Sequence, residues 1–182
     1  MKKIEFDNDV FVIDEFITNE SCEDYIALSE NIGYEEAKVQ IDGKQTMFKG
    51  IRNNSRILLE NQELAENLYQ LVKPFCPEKI DNWTISGLNE MFRFYKYEPG
   101  QRFKKHIDGT FKRNETEVSK LTFLIYLNSD FDGGETSFDN FTVNPKKGSA
   151  LVFKHELKHQ GNEILSGVKY VLRTDIMYKL NN

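Results

Sequence analysis

The hydrophobic pattern of this chain changes character near Pro77. Before that point, one alternating run and two stretches of helical period are separated by polar segments. Val10–Phe16 (VFVIDEF) is β-branched and alternating, which predicts a strand. Thr18 or Asn19 then offers an N-cap for a helix through about Asn31, with Ile26 in its apolar stripe and Gly33 at its stop. Residues 34–55 are polar and irregular, with Asp42-Gly43 as a turn. An irregular stretch of that length beside a site would suit a lid. Ile51–Leu58 predicts a short strand that leads into a second helix from about Gln62 to Lys73. There Leu64, Leu68, Leu71 and Val72 share a face, and Pro74 ends the helix.

After Pro77 the chain becomes a series of short alternating runs broken by Gly, Asn, Asp and Pro. Strands are expected near Met91–Tyr97, Phe103–Ile107, Lys120–Leu127, Glu135–Phe138, Ser149–Phe153 and Val168–Tyr178. In the Lys120–Leu127 run, Leu121, Phe123, Ile125 and Leu127 fall on one face, with Thr122, Leu124 and Tyr126 on the other. Helices first and many short strands afterwards predict an α+β protein with a sandwich or jelly-roll core. One domain is expected over residues 1–182, with a helical cover over about 1–79 packed outside a core of about 80–180.

Composition narrows the reading. The 182 residues suffice for one domain with a real core, and 14 Phe with 8 Tyr suggest an aromatic interior. The net charge of -5 argues against a nucleic-acid partner, which needs a basic face. No run of 18 apolar residues predicts a membrane span. The first residues (MKKIEFDNDVFVIDEF) do not read as a secretory signal, because acidic residues interrupt the apolar part. Cys22 and Cys76 form no C-x-x-C pair. They read as two reduced thiols, and a cytoplasmic protein is the expectation.

The chemistry centres on His106-Ile107-Asp108. In an extended segment His106 and Asp108 point the same way, so an imidazole and a carboxylate share a face. A distant histidine would complete a 2-His-1-carboxylate facial triad, the set that leaves positions open on Fe(II). The chain has only two further histidines, His155 and His159, and they compete for that place. His159 is favoured; His155, just past Phe153, is the alternative ligand, or else a supporting or surface residue. Lys169 opens the last predicted strand. A cosubstrate that chelates iron at one end needs a cation where its other end lands, and a lysine supplies it. Arg173 shares a face with Lys169 and either reaches the same cavity or pairs with Asp175.

These residues stand in an ordered series. Phe94-Tyr95-Lys96-Tyr97-Glu98-Pro99-Gly100-Gln101 precedes His106-Ile107-Asp108. Then come Leu121-Thr122-Phe123-Leu124-Ile125-Tyr126-Leu127-Asn128, Gly133-Gly134-Glu135-Thr136, Pro145, Gly148, His159 and Gly167-Val168-Lys169. The series resembles the Fe(II)/2-oxoglutarate-dependent oxygenases, in their prolyl 4-hydroxylase-like branch. That resemblance implies a double-stranded β-helix with iron held by His106, Asp108 and His159. It implies 2-oxoglutarate bound by Lys169, with Tyr126, Tyr97 and Thr122 around it, and O2 as the oxidant with ascorbate in support. The implied activity is hydroxylation of an unactivated C–H, with a prolyl residue of a peptide or protein as the leading substrate. A free amino acid or small metabolite is the alternative, and a non-catalytic metal-binding jelly roll is the reading outside enzymology. The branch often has another residue where Arg173 stands. Arg173, Arg56 and Trp83 are the candidates for contact with substrate.

Overall fold

The computed structural model describes residues 1–36, 39–41, 44–46 and 53–181. Asp42-Gly43, and other parts of the expected lid, lie outside the described residues. Among the described residues the main sheet has eleven strands. Its path runs from Lys2–Asp7 through Val10–Asp14, Ala150–Lys154, Glu117–Tyr126, Lys169–Leu180, Met91–Tyr97 and Ser55–Glu60 to Glu35–Glu36. Phe103–His106, His159–Gly161, Thr136–Phe138 and Thr142–Val143 form a second sheet of four strands.

Side-chain alternation turns the main sheet into a two-faced wall. Phe11, Ile13, Phe92, Phe94, Leu121, Phe123, Ile125, Ala150, Val152, Leu172 and Ile176 build one core on its outer face. Two helices cover that face. The first, α1 (Asn19–Ile32), is capped by Thr18, whose side chain accepts from the Ser21 N–H, and stops at Gly33. The second, α2 (Gln62–Val72), is capped by Asn61 and buries Ala65, Leu68, Tyr69 and Val72. The neighbouring residues on the same strands point the other way. Val10, Val12, Tyr95, Tyr97, Tyr126, Leu151, Phe153 and Val171 make a second core, against which Phe103 and Phe138 of the smaller sheet pack.

The N-terminal third is more than a helical cover. Val10–Asp14 pairs with Ala150–Lys154, and Ser55–Glu60 with Met91–Tyr97, so both strands extend the main sheet. Lys2–Asp7, paired with Val10–Asp14, has no counterpart in the sequence pattern: all six of its residues are exposed, so burial imposes no alternation. No helix among the described residues is long and apolar enough to cross a membrane.

Two register irregularities shape the site. Between Ser119 and Leu121 the pairing advances by a single residue on the partner strand, from Met177 to Ile176, so Lys120 is an extra residue. Such a bulge turns the preceding side chain to the opposite face. Ser119 therefore shares a face with Thr122 instead of with Leu121. The second lies between Phe103↔Gly161 and His106↔His159. It puts the ring of Phe103 flat against His106, with centroids 3.5 Å apart.

Candidate metal centre and cosubstrate cavity

His106 ends its strand, and His159 begins a short one directly opposite, so the two histidines are cross-strand partners. Asp108 lies just beyond the strand. Its backbone N–H donates to the His155 carbonyl at 3.1 Å, while Ile107 turns to solvent at 58% exposure. The alternation expected from an extended segment is retained although the strand stops at His106.

One ligand atom from each of His106, Asp108 and His159 lies within 4.8 Å of the others. Nε2 of His106 is 3.6 Å from Asp108 Oδ1, and Nε2 of His159 is 3.6 Å from Asp108 Oδ2. The tautomers follow from the hydrogen bonds. Nδ1 of His106 faces the Lys104 carbonyl at 2.8 Å, and Nδ1 of His159 faces the Leu157 carbonyl at 2.9 Å. A carbonyl only accepts, so each Nδ1 carries a proton and each Nε2 is the nitrogen turned to the centre, where it can ligate a metal. Burial pushes the His159 imidazole down to about 4, which keeps it neutral. For Asp108, burial raises the carboxyl, but Arg173, His106, His159 and Thr122 together outweigh it and hold the group well below the usual carboxylate range. Two imidazoles with their Nε2 atoms turned inward and one ionised carboxylate, converging with open space beside them, fit an Fe(II) ion.

His155 is not part of this set. Its Nδ1 is 2.9 Å from Thr122 Oγ1 and its Nε2 is 2.8 Å from Ser119 Oγ, so both ring nitrogens are engaged away from the centre. Burial lowers its pKa as well.

A cavity runs from the triad along the Lys169–Leu180 strand. Its walls include Tyr95, Tyr97, Thr122, Thr136, Val171 and Arg173, and Lys169 stands in its lining. Lys169 is 4% exposed. Its Nζ donates to the Gly134 carbonyl at 2.5 Å and lies over the rings of Tyr97 and Tyr126 at 5.6 and 5.3 Å. No carboxylate among the described residues forms an ion pair with it. Burial pushes the ammonium down to about 7, with only the field of Glu135 opposing. An ammonium in this position favours an anion in the cavity. Gly134 makes the approach possible: at φ +69°, a Cβ there would sit 2.4 Å from Ile164 Cδ1 and 3.2 Å from the Lys169 stem.

The structure sorts the remaining expected residues. Thr122 donates to Asp108 Oδ2 at 2.6 Å. Tyr126 is fully buried, and its hydroxyl meets Thr136 Oγ1 at 2.7 Å, so it reaches the cavity through Thr136. Both expectations for Arg173 are met: one guanidinium nitrogen, Nη2, lies 3.2 Å from Asp108 Oδ2 and 3.1 Å from Asp175 Oδ1. Asp175 in turn pairs with Arg93 at 3.3 Å. Arg173 Nε is buried with no hydrogen-bond partner among the described residues. Arg56, paired in register with Tyr95, and Trp83, paired with Leu180, are not in the cavity lining. Lys120 Nζ lies 4.7 Å over the Trp83 ring. Thr136, which reads in sequence only as the start of a strand after a turn, lines the cavity. Phe138 and Phe153 flank His159, with ring centroids 5.9 and 4.5 Å away.

Residues 92–174, which carry the triad, the cavity lysine and the strands between them, match the family profile described as the 2OG-Fe(II) oxygenase superfamily. Over that stretch, somewhat under half of the chain, the sequence is similar to this superfamily. Among curated relatives, prolyl 4-hydroxylase 1 of Arabidopsis thaliana is 24% identical over 88% of the chain and 66% of its own length. A putative prolyl 4-hydroxylase of Acanthamoeba polyphaga mimivirus is 28% identical over 68% of the chain and 57% of its own length. The chain thus spans less than two thirds of these relatives. The viral collagen prolyl hydroxylase of Paramecium Bursaria Chlorella virus-1, solved as a 2OG complex, has the same fold. Its TM-score is 0.68 at 20% identity, covering 95% of this chain and 97% of that one. A Trichoplax adhaerens prolyl hydroxylase solved with a hypoxia inducible factor peptide has a TM-score of 0.66 at 17% identity, covering 96% and 84%. The fold is therefore the double-stranded β-helix of these structures, with the two helices outside it.

Proposed function

We propose that this chain is an Fe(II)- and 2-oxoglutarate-dependent dioxygenase that hydroxylates a prolyl residue in a peptide or protein. One observation carries the reading. Two imidazoles with inward-facing Nε2 atoms and a carboxylate converge at one end of a cavity, and an ammonium without a carboxylate partner among the described residues lines it. A 2-oxo diacid fits both, with its keto acid end at the metal and its distal carboxylate at Lys169. Fe(II) held by His106, Asp108 and His159 would supply the oxidising chemistry, in which 2-oxoglutarate and O2 give succinate, CO2 and one oxygen atom for a C–H bond.

The chain's own residues bind, orient and exclude water. Lys169 holds the distal carboxylate through a charge-assisted hydrogen bond. Tyr97 and Thr136 border it, and Tyr126 orients the Thr136 hydroxyl. Tyr95, Phe103, Leu124, Phe153 and Val171 wall the cavity and keep water from it. Arg173 and Thr122 hold Oδ2 of Asp108. Ascorbate would keep the iron ferrous. A prolyl substrate is supported by the names of the sequence relatives and by the peptide-bound structural neighbour. The net charge of -5 and the pairing of Arg173 with two carboxylates speak against a nucleic-acid substrate.

The test is turnover with Fe(II), ascorbate, 2-oxoglutarate and O2 over a panel of proline-containing peptides. Succinate should form in step with the gain of one oxygen atom on a prolyl residue. Succinate coupled only to a free amino acid would overturn the peptide assignment, and no succinate under any condition would overturn the oxygenase.

A further inference from the structure

His155 is buried and carries none of the proposed chemistry, yet it grips Asp108 twice. Its carbonyl accepts the Asp108 backbone N–H, and its ring reaches the Asp108 side chain through Thr122. The direction of each bond follows from counting hydrogens. Thr122 has one hydroxyl proton, and the Asp108 carboxylate, at 2.6 Å, can only accept it. Thr122 Oγ1 must then accept from His155, so the proton sits on Nδ1. In that tautomer Nε2 is an acceptor, and Ser119, at 2.8 Å, is its donor. Ser119 Oγ in turn accepts the backbone N–H of Phe111 at 2.8 Å. Every bond in the chain Phe111 N–H, Ser119, His155, Thr122, Asp108 points the same way, toward Oδ2. Bonds in such a series polarise one another.

The series exists only because of the bulge. Were Lys120 an ordinary residue of the ladder, Ser119 would face the outer core with Leu121. Because Lys120 is extra, Ser119 and Thr122 face the same side and bracket the imidazole. At the end of the series, Oδ2 receives Thr122 and Arg173 together, which fixes the rotation of the carboxylate and leaves Oδ1 the less engaged oxygen.

We infer that His155 is a positioning residue, which through Thr122 sets the orientation of the Asp108 carboxylate and so how tightly the site holds a divalent metal. The inference rests on the metal-site reading above. Supporting partners of this kind are typically worth about 10–100-fold in metal affinity.

The test is titration of the full-length protein with Mn(II), a redox-silent stand-in for Fe(II), reading free Mn(II) by electron paramagnetic resonance without turnover. His155→Ala and Thr122→Val should each weaken binding by about 10–100-fold. Because both cut one series, the double variant should be no weaker than the worse single. His155→Asn, whose amide N–H lies near the Nδ1 position, should recover most of the affinity; His155→Gln, whose amide reaches the Nε2 end, should not. Thermal melts check that each variant folds. If His155→Ala does not fold, the Asn and Gln variants, with Thr122→Ser against Thr122→Val, decide the matter. Wild-type affinity in folded His155→Ala, losses that multiply in the double variant, or Asn no better than Gln would each overturn the inference and leave the site reading standing. Failure of the wild-type protein to bind Mn(II) would overturn both.

Discussion

Lys169 is the residue whose chemistry most depends on something outside the chain. It is a buried ammonium whose hydrogen-bond acceptor is a neutral carbonyl, so its charge is stabilised fully only when an anion enters. Replacing it with Met should leave Mn(II) affinity unchanged and weaken 2-oxoglutarate binding at least about 100-fold. Losing one partner of a desolvated pair costs about 3–5 kcal/mol, and each 1.4 kcal/mol or so is a factor of ten. Calorimetric titration of both variants with the diacid measures this. The same burial gives a pH dependence without cosubstrate. The folded pKa of about 7 lies below the ordinary 10.5, so the unfolded chain binds the proton more tightly. Wild-type stability should therefore rise relative to Lys169→Met as pH goes from about 7 toward 10.5, with the full penalty present below that window. Parallel melts of the two proteins across this range check the sign. Residue types and order made this much legible in sequence: three histidines, one H-x-D and a lysine at the start of the last predicted strand leave few arrangements.

At the scale of elements, the irregularities mattered more than the regular strands. The H-x-D spacing predicted a shared face for His106 and Asp108, and the structure has it. Thr122, expected on the cavity side of its strand, is there too. The link from Ser119 to His155 was not legible, because a bulge leaves no mark in the order of apolar residues. Ser119 and Leu121 read as neighbours on one face until the pairing with Met177 and Ile176 is known. Deleting Lys120 should regularise the ladder and, because consecutive residues alternate, keep Ser119 on the face of Thr122 and His155, so Mn(II) affinity should be retained; a folded deletion protein that loses affinity as His155→Ala does would argue against this account of the bulge. Helix ends were easier, because their signals are local. Thr18 and Gly33 bound α1, as their residue types predict. Thr18→Ala should cost about 1 kcal/mol, or about 2–4 °C in melting temperature for a chain of this size, with the metal site unaffected.

At the scale of the molecule, one alternating sheet separates two jobs. The face carrying Phe123 and Leu172 packs under the helices, and the face carrying Thr122, Tyr126 and Lys169 builds the cavity. Phe123, edge-on to Phe16 at 5.3 Å, is 1% exposed. Phe123→Ala should destabilise by about 3–5 kcal/mol, while the fraction that remains folded binds Mn(II) as the wild type does. Chemical denaturation with metal titration of the same sample separates the two effects. The strand-rich second half was legible from its alternation. The sheet's outer strands were less so: Lys2–Asp7 is exposed throughout and Ser55–Glu60 buries only Ile57, so neither carries a strong two-fold pattern. The central claim is that this cavity holds Fe(II) at the triad and chelates a 2-oxo acid between that metal and Lys169. Anaerobic addition of Fe(II) and then 2-oxoglutarate to the metal-free protein tests it most directly, through the visible metal-to-ligand charge-transfer band of a chelated keto acid. The account predicts that the band appears with the wild-type protein and is lost in Asp108→Ala. No band in the wild type, or a band that survives in Asp108→Ala, would contradict it.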